Sequence, residues 1–167
     1  YTASNFIQST DGTVVPSGVT GHPSDEAYAF GKFQGSIDFG DGISDVSPSG
    51  FDAGYLVRYD RDMKPLQYAS VTGGTGDAVI NDVFVHTFES LVVVGNFHGP
   101  SVDFAGLTST GHGAGEHGFV AEVHAKTLAV TTIRVINSNL GATVTCVTGD
   151  VGPSGQFAVG GAIGTAP

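Results

Sequence analysis

Hydrophobic positions along this chain recur at a spacing of two rather than at the 3.6 of a helix. Tyr55, Val57 and Tyr59 fall on one face of an extended segment, and Phe119, Ala121 and Val123 repeat the pattern further on. Runs of this kind predict four short strands in each of two units. The first strand is expected near 14–19 and again at 78–85 and 142–147, the second near 27–33, 91–97 and 156–163. The third covers about 54–59 and 118–123, and the fourth about 66–71 and 128–136. Glycines and the pair Asp41-Gly42 punctuate the joins, as turn chemistry requires. Helical periodicity is convincing nowhere: the best candidate, 125–130, runs into a β-branched stretch ending at Ile136.

The strands repeat because the residues do. Gly31, Phe33, Gly35, Ile37, Asp38 and Phe39 return as Gly95, Phe97, Gly99, Val102, Asp103 and Phe104. The interval is 64 at the glycine and the first phenylalanine (95 − 31 and 97 − 33), and 65 at the aspartate (103 − 38). Asp52 and Tyr55 are matched by Glu116 and Phe119 at the same 64. A third copy starts near Phe157, with Ala162 expected where phenylalanine stands in the others. One β-repeat domain follows: a partial unit 1–13, unit one 14–77, unit two 78–141 and a partial unit three 142–167. Residues 5–8 are expected as the last strand of a preceding unit.

Four short strands per unit, with both sheet faces fairly apolar, describe a β-propeller blade. The expected fold is all-β: about two and a half four-stranded antiparallel propeller-type blades, incomplete as a closed ring, with a β-sandwich as the alternative. The string Gly-x-Phe-x-Gly-x-[Ile/Val]-Asp-Phe is followed, after a loop rich in Gly and Ser, by [Asp/Glu]-x-Gly-[Tyr/Phe]. It resembles the SBBP-type β-propeller repeat, a family common in secreted and surface-anchored proteins. The resemblance covers most of the chain from about residue 14, and it implies a blade scaffold with no catalytic chemistry to carry over. Glu116 in place of the usual Asp, and the extra residue in the second copy, depart from the pattern.

Charge narrows the partners. The net charge is −10 with six Lys and Arg, so the cationic footprint that nucleic acid demands is missing, and anionic lipid is disfavoured for the same reason. No run approaches the roughly 20 apolar residues of a membrane span. Low charge, few lysines and abundant Gly, Ser and Thr point to an extracellular or cell-surface setting. A start at Tyr1, with Met63 the one methionine, reads as an excised piece of something longer. Cys146 cannot bridge within the chain; its strand-like setting suggests a small buried hydrophobe, with an intermolecular disulfide as the alternative.

Candidate chemistry is sparse. His112, Glu116 and His117 offer imidazole and carboxylate ligands suited to zinc or another transition metal. Their spacing matches no established site, and a solvated glycine-rich loop is the competing reading. Asp38 and Asp103, with Asp52 and Glu116, could form a carboxylate cage for calcium, the one cofactor in view. The competing reading is that each aspartate caps a turn, and recurrence in both units favours it. No nucleophile elbow occurs, and an enzyme is not expected.

The function expected from these residues is an extracellular structural or adhesive repeat module. It would self-associate or bind protein through its blades and open strand edges, as a filament or fibre subunit. Its partners would be further copies of itself or the rest of a larger parent chain. The alternative is a carbohydrate- or calcium-binding slice of a larger propeller, with glycans as partners.

Overall fold

A computed structural model describes residues 7–9, 11–113, 115–137, 141–149 and 156–164. The period-two segments form strands, and no helix occurs among the described residues. Unit one contributes β2 (Thr13–His22), β3 (Glu26–Gln34), β6 (Ala53–Tyr59) and β7 (Pro65–Thr72), each antiparallel to the next. Unit two repeats this with β8 (Ala78–Val85), β9 (Ser90–His98), β12 (Glu116–His124) and β13 (Val130–Ile136). The described part of unit three is the pair β14 (Ala142–Gly149) and β15 (Phe157–Ile163). None of the sheets closes on itself. The last strand of unit two begins later than expected, because buried Leu128 sits in a turn at φ 54°.

The segment between second and third strands, expected as a loop, is a β-hairpin in both units. Unit one has β4 (Ser36–Gly40) and β5 (Ile43–Val46), and unit two has β10 (Ser101–Phe104) and β11 (Leu107–Thr110). Ile37 and Phe39 point inward while Asp38 points out, so the hairpin obeys the strand period over too few residues to register as one. Strand β10 also pairs with β7 of unit one, Asp103 opposite Thr72 and Phe104 opposite Val71. One hairpin thereby clasps the previous unit and extends its sheet to six strands, in the order β11-β10-β7-β6-β3-β2. Strand β1 (Gln8–Ser9) pairs with β4 in the matching place, Gln8 opposite Asp38. Of residues 5–8, expected as the last strand of a preceding unit, Gln8 falls in β1, while Asn5 and Phe6 lie outside the described residues.

Two recurrent glycines have a steric origin. The first strand of every unit carries a bulge, with register shifts at Pro16/Gly18, Ile80/Asp82 and Val144/Cys146. Beside each bulge a carbonyl presses on the second strand. A Cβ on Gly31, Gly95 or Gly161 would lie 2.3, 2.0 or 2.0 Å from the carbonyl oxygen of Val15, Val79 or Thr143. Only glycine fits. This contact aligns the third copy on Gly161, an interval of 66 from Gly95 (161 − 95). Ile163, not Ala162, therefore takes the place of Phe33 and Phe97, and it pairs with Ala142 as Phe97 does with Ala78. Gly54 and Gly118 serve the other junction: a Cβ on either would lie 2.4 Å from a valine methyl, Val71 or Val144, with the first strand of the next unit close by.

Units stack face to face. One face of unit one, with Tyr28, Phe30, Leu56, Ala69 and Val71, packs against Phe119, Ala121 and Val123 of unit two in the largest core cluster. Val92 and Val94 of unit two in turn pack against Val144 and Val147 of unit three. The opposite face of unit one, with Tyr55, Val57 and Tyr59, builds a separate cluster closed by Phe39, Ile37 and Phe33 of its own unit.

Candidate functional site

Asp38 and Asp103 sit at hairpin turns. Gly40 N donates to Asp38 Oδ1 at 2.8 Å, and Gly106 N donates to Asp103 Oδ1 at 3.0 Å, with Thr108 Oγ1 on Oδ2 at 2.8 Å. Positive φ at Gly40 and Asp41, and at Ala105 and Gly106, makes these tight turns in which a side-chain acceptor satisfies a free N–H. Each carboxylate caps its own turn, Asp38 through Oδ1 and Asp103 through both oxygens.

The other metal candidates diverge. Glu116 and His117 are successive residues of β12, so they project to opposite faces. His117 is fully buried, its ring 5.3 Å from that of Phe97, and neither ring nitrogen has a hydrogen-bond partner. Gly111 leaves it room: a Cβ there would lie 2.8 Å from the imidazole. Exposed His112 donates its backbone N–H to Asn137 Oδ1 at 3.1 Å. Among the described residues, no three His, Cys, Asp or Glu side chains are grouped to hold a metal ion.

Glu116 instead opens onto a polar cleft of about 190 Å³ between units one and two, with Lys32, Asp52, Asp77, Asn96 and His98. Lys32 Nζ is 2.5 Å from Asp52 Oδ2, and Asp52 N donates to Asp77 Oδ1 at 2.8 Å. Two of the three acids, Asp52 and Asp77, are thus partnered by the chain itself, and the cleft lies along the junction of the two units. At the other end of that seam, Tyr28 Oη donates to Ala125 O at 3.0 Å and Arg58 Nη1 to Lys126 O at 2.5 Å. Burial, reinforced by Glu26, pushes the Tyr28 phenol up to about 12, which keeps it a neutral donor.

The junction between units two and three holds residues that were not singled out from the sequence. Asn81 Nδ2 donates to Val144 O at 2.6 Å, while Val144 N donates to Asn96 Oδ1 at 2.7 Å and Val147 N to Asp82 Oδ2 at 3.0 Å. Three polar side chains of unit two thus satisfy the outer backbone of β14. Their signal in the sequence is polar residues inside otherwise apolar strands, and Ser17, Gly18 and Lys32 stand at the matching places of unit one. Cys146 is exposed rather than buried, because the bulge at residue 145 shifts it off the apolar face.

No protein-family model, curated protein or solved structure matches the chain. The site is therefore characterised by its own geometry: two built junctions between units, a further apolar face on unit one, and open strand edges. Val19, Val83 and Val147 occupy one repeat position, yet they are 69%, 4% and 7% exposed. The last two are covered by the preceding unit. Beside Val19, Val14, Pro16, Ala29, Tyr55 and Tyr59 line an apolar groove of about 360 Å³.

Proposed function

We propose that the chain is a structural or adhesive repeat module of an extracellular protein, built of propeller-type blades of the SBBP kind. It engages further units of its own type through sheet faces and strand edges. The observation that carries this reading is the contrast at Val19, Val83 and Val147, one repeat position that is sealed wherever a preceding unit stands and open on unit one. The apolar groove beside Val19 favours a protein partner over a sugar, and the junctions inside the chain, with aliphatic and aromatic side chains stacked sheet on sheet, support that reading. The low charge and the wealth of Gly, Ser and Thr support the extracellular setting. Head-to-tail contacts of this kind generate filaments unless the rotation closes a ring.

Sedimentation velocity from micromolar to near-millimolar concentration, with negative-stain microscopy of the same samples, tests the reading. Concentration-dependent association into rings or fibres is the expected result. A folded 17.0 kDa monomer at every concentration would sink it.

A further inference from the structure

The hairpin loop that joins β2 to β3 sets a serine against a held imidazole. Its residues are Pro23, Ser24 and Asp25, with Asp25 at φ 62° and Asp25 N donating to His22 O at 3.2 Å. Ser24 Oγ thereby stands 2.6 Å from His22 Nδ1, and Ser24 N donates to the same nitrogen at 3.1 Å. Across the ring, His22 Nε2 lies 3.2 Å from Phe88 O of unit two. These partners settle the tautomer. A backbone N–H only donates and a carbonyl only accepts, so Nδ1 holds the lone pair and Nε2 the proton. The proton between Nδ1 and Oγ is therefore the hydroxyl's. The imidazole is 8% exposed and meets Tyr28 and Phe88 edge to face, whereas Ser24 is exposed. Phe88 is itself 58% exposed, an open apolar ring against the same imidazole.

Unit two repeats the histidine without the arrangement. His86 takes the place of His22 (86 − 22 = 64), but its Nδ1 lies 3.5 Å from Ser90 Oγ, which shares a 2.8 Å hydrogen bond with Thr87 Oγ1.

We infer that Ser24 is a nucleophile activated by His22, an acyl acceptor for esters that carry an apolar acyl group. Nucleophile, base and the group that orients the base are then Ser24, His22 and the Phe88 carbonyl. Oγ bonds to the ester carbonyl carbon as its proton passes to Nδ1. The bond from that carbon to the leaving oxygen then breaks, and Nδ1 gives the proton to the departing alcohol. The products are an O-acyl serine and a free alcohol; water, activated by His22 in the same way, later releases the acid. Proton transfer to Nδ1 also frees Ser24 N–H to meet the charge that forms on the carbonyl oxygen. The imidazolium is matched by Phe88 O and by Glu26, which pairs with His22 in the ladder. The open face of Phe88 carries the apolar acyl group. This activity is separate from the module reading and needs no association.

p-Nitrophenyl butyrate is the probe, added to the full chain, with nitrophenolate followed by absorbance and the acyl group located by peptide mass mapping. A burst of about one nitrophenolate per chain is expected. The butyryl group should sit on Ser24 in preference to Ser90, to exposed Ser49 and to the lysines. Ser24→Ala abolishes the burst. His22→Gln keeps an N–H donor for Phe88 O and slows the burst by about a hundredfold or more, in a chain whose melting curve shows it folded. Should that variant unfold, the parent in urea replaces it, because Phe88 lies 66 residues from His22 and unfolding should erase the preference for Ser24. Phe88→Ser, which keeps the carbonyl, lowers the rate with the butyrate ester more than with the acetate ester. The inference is overturned if acyl groups spread over the lysines without preference for Ser24, if folded His22→Gln reacts at the parent's rate, or if the preference survives unfolding. Equal slowing of both esters by Phe88→Ser, or none, removes the apolar-ester assignment.

Discussion

Glu26 and Arg58 face each other across β3 and β6 with two hydrogen bonds, Nη2 to Oε1 at 2.5 Å and Nε to Oε2 at 3.0 Å. The hydrogen bond from Arg58 holds the Glu26 carboxyl below its ordinary value of 4.5, against the opposing effect of burial. A depressed folded-state value means the pair's contribution is complete above about pH 4.5 and is lost as pH falls through the depressed value. Glu26→Gln is therefore expected to cost about 2 kcal/mol at neutral pH. The gap to wild type should narrow in acid, read as urea midpoints at a series of pH values. A gap that stays constant into acid would show that the charge is irrelevant. Tyr55 gives the opposite case. Its hydroxyl is buried without a partner, and burial, reinforced by Tyr59, pushes the phenol up to about 12. Its counterpart in unit two is Phe119. Tyr55→Phe is expected to stabilise the chain by up to about 1 kcal/mol, because no hydrogen bond is lost and an orphaned polar atom is removed. A drop in melting temperature would reveal a partner for the hydroxyl.

At the scale of the element, the bulge dictates the glycines. Gly95→Ala places a methyl against Val79 O and the Phe119 ring, and backbone on one side leaves no room to yield. A loss above about 3 kcal/mol is expected in denaturant unfolding. Gly21→Ala, where a Cβ would meet nothing within 4 Å, should be nearly neutral and serves as the control. Equal effects would mean the bulge relaxes. These elements were unevenly legible in the sequence. The strands of seven residues or more could be read because alternation such as Tyr55, Val57 and Tyr59 persists long enough to declare its period. The hairpins could not, since β10 and β11 have four residues each and their pairing with β7 is a contact between units. The third copy slipped for a related reason: its extra residues lie ahead of Gly161, and only the carbonyl of Thr143 fixes which glycine is equivalent. Among site residues, Asp38 and Asp103 were legible as turn caps from their recurrence. Asn81, Asp82 and Asn96 were not, because their partner is a strand 48 to 65 residues away.

For the whole molecule, stacking makes equivalent residues unequal. In a chain of repeats each unit leans on its neighbours, so the consequence of a substitution depends on whether a neighbour stands there. Val19 and Val83 test this directly, being the same residue type at the same point of the bulged first strand, 69% and 4% exposed. Val83→Asp places a carboxylate in the core shared by units one and two, with no cation among the side chains of that cluster. It should cost more than about 3 kcal/mol, enough to loosen unit two from unit one. Val19→Asp should change the stability of the isolated chain by no more than about 0.5 kcal/mol, since its side chain is already in water. Under the module reading the same Val19→Asp variant weakens association, because it puts a charge on the face that another unit covers. Val46→Asp, equally exposed on β5 of the hairpin that closes the same cluster, tells whether the hairpin shares in that contact. Unfolding curves and sedimentation on the three variants separate the contributions. Equal destabilisation by Val19→Asp and Val83→Asp would refute face-to-face stacking as the source of the difference. Association unaffected by Val19→Asp would move the contact from the face of unit one to the strand edges alone.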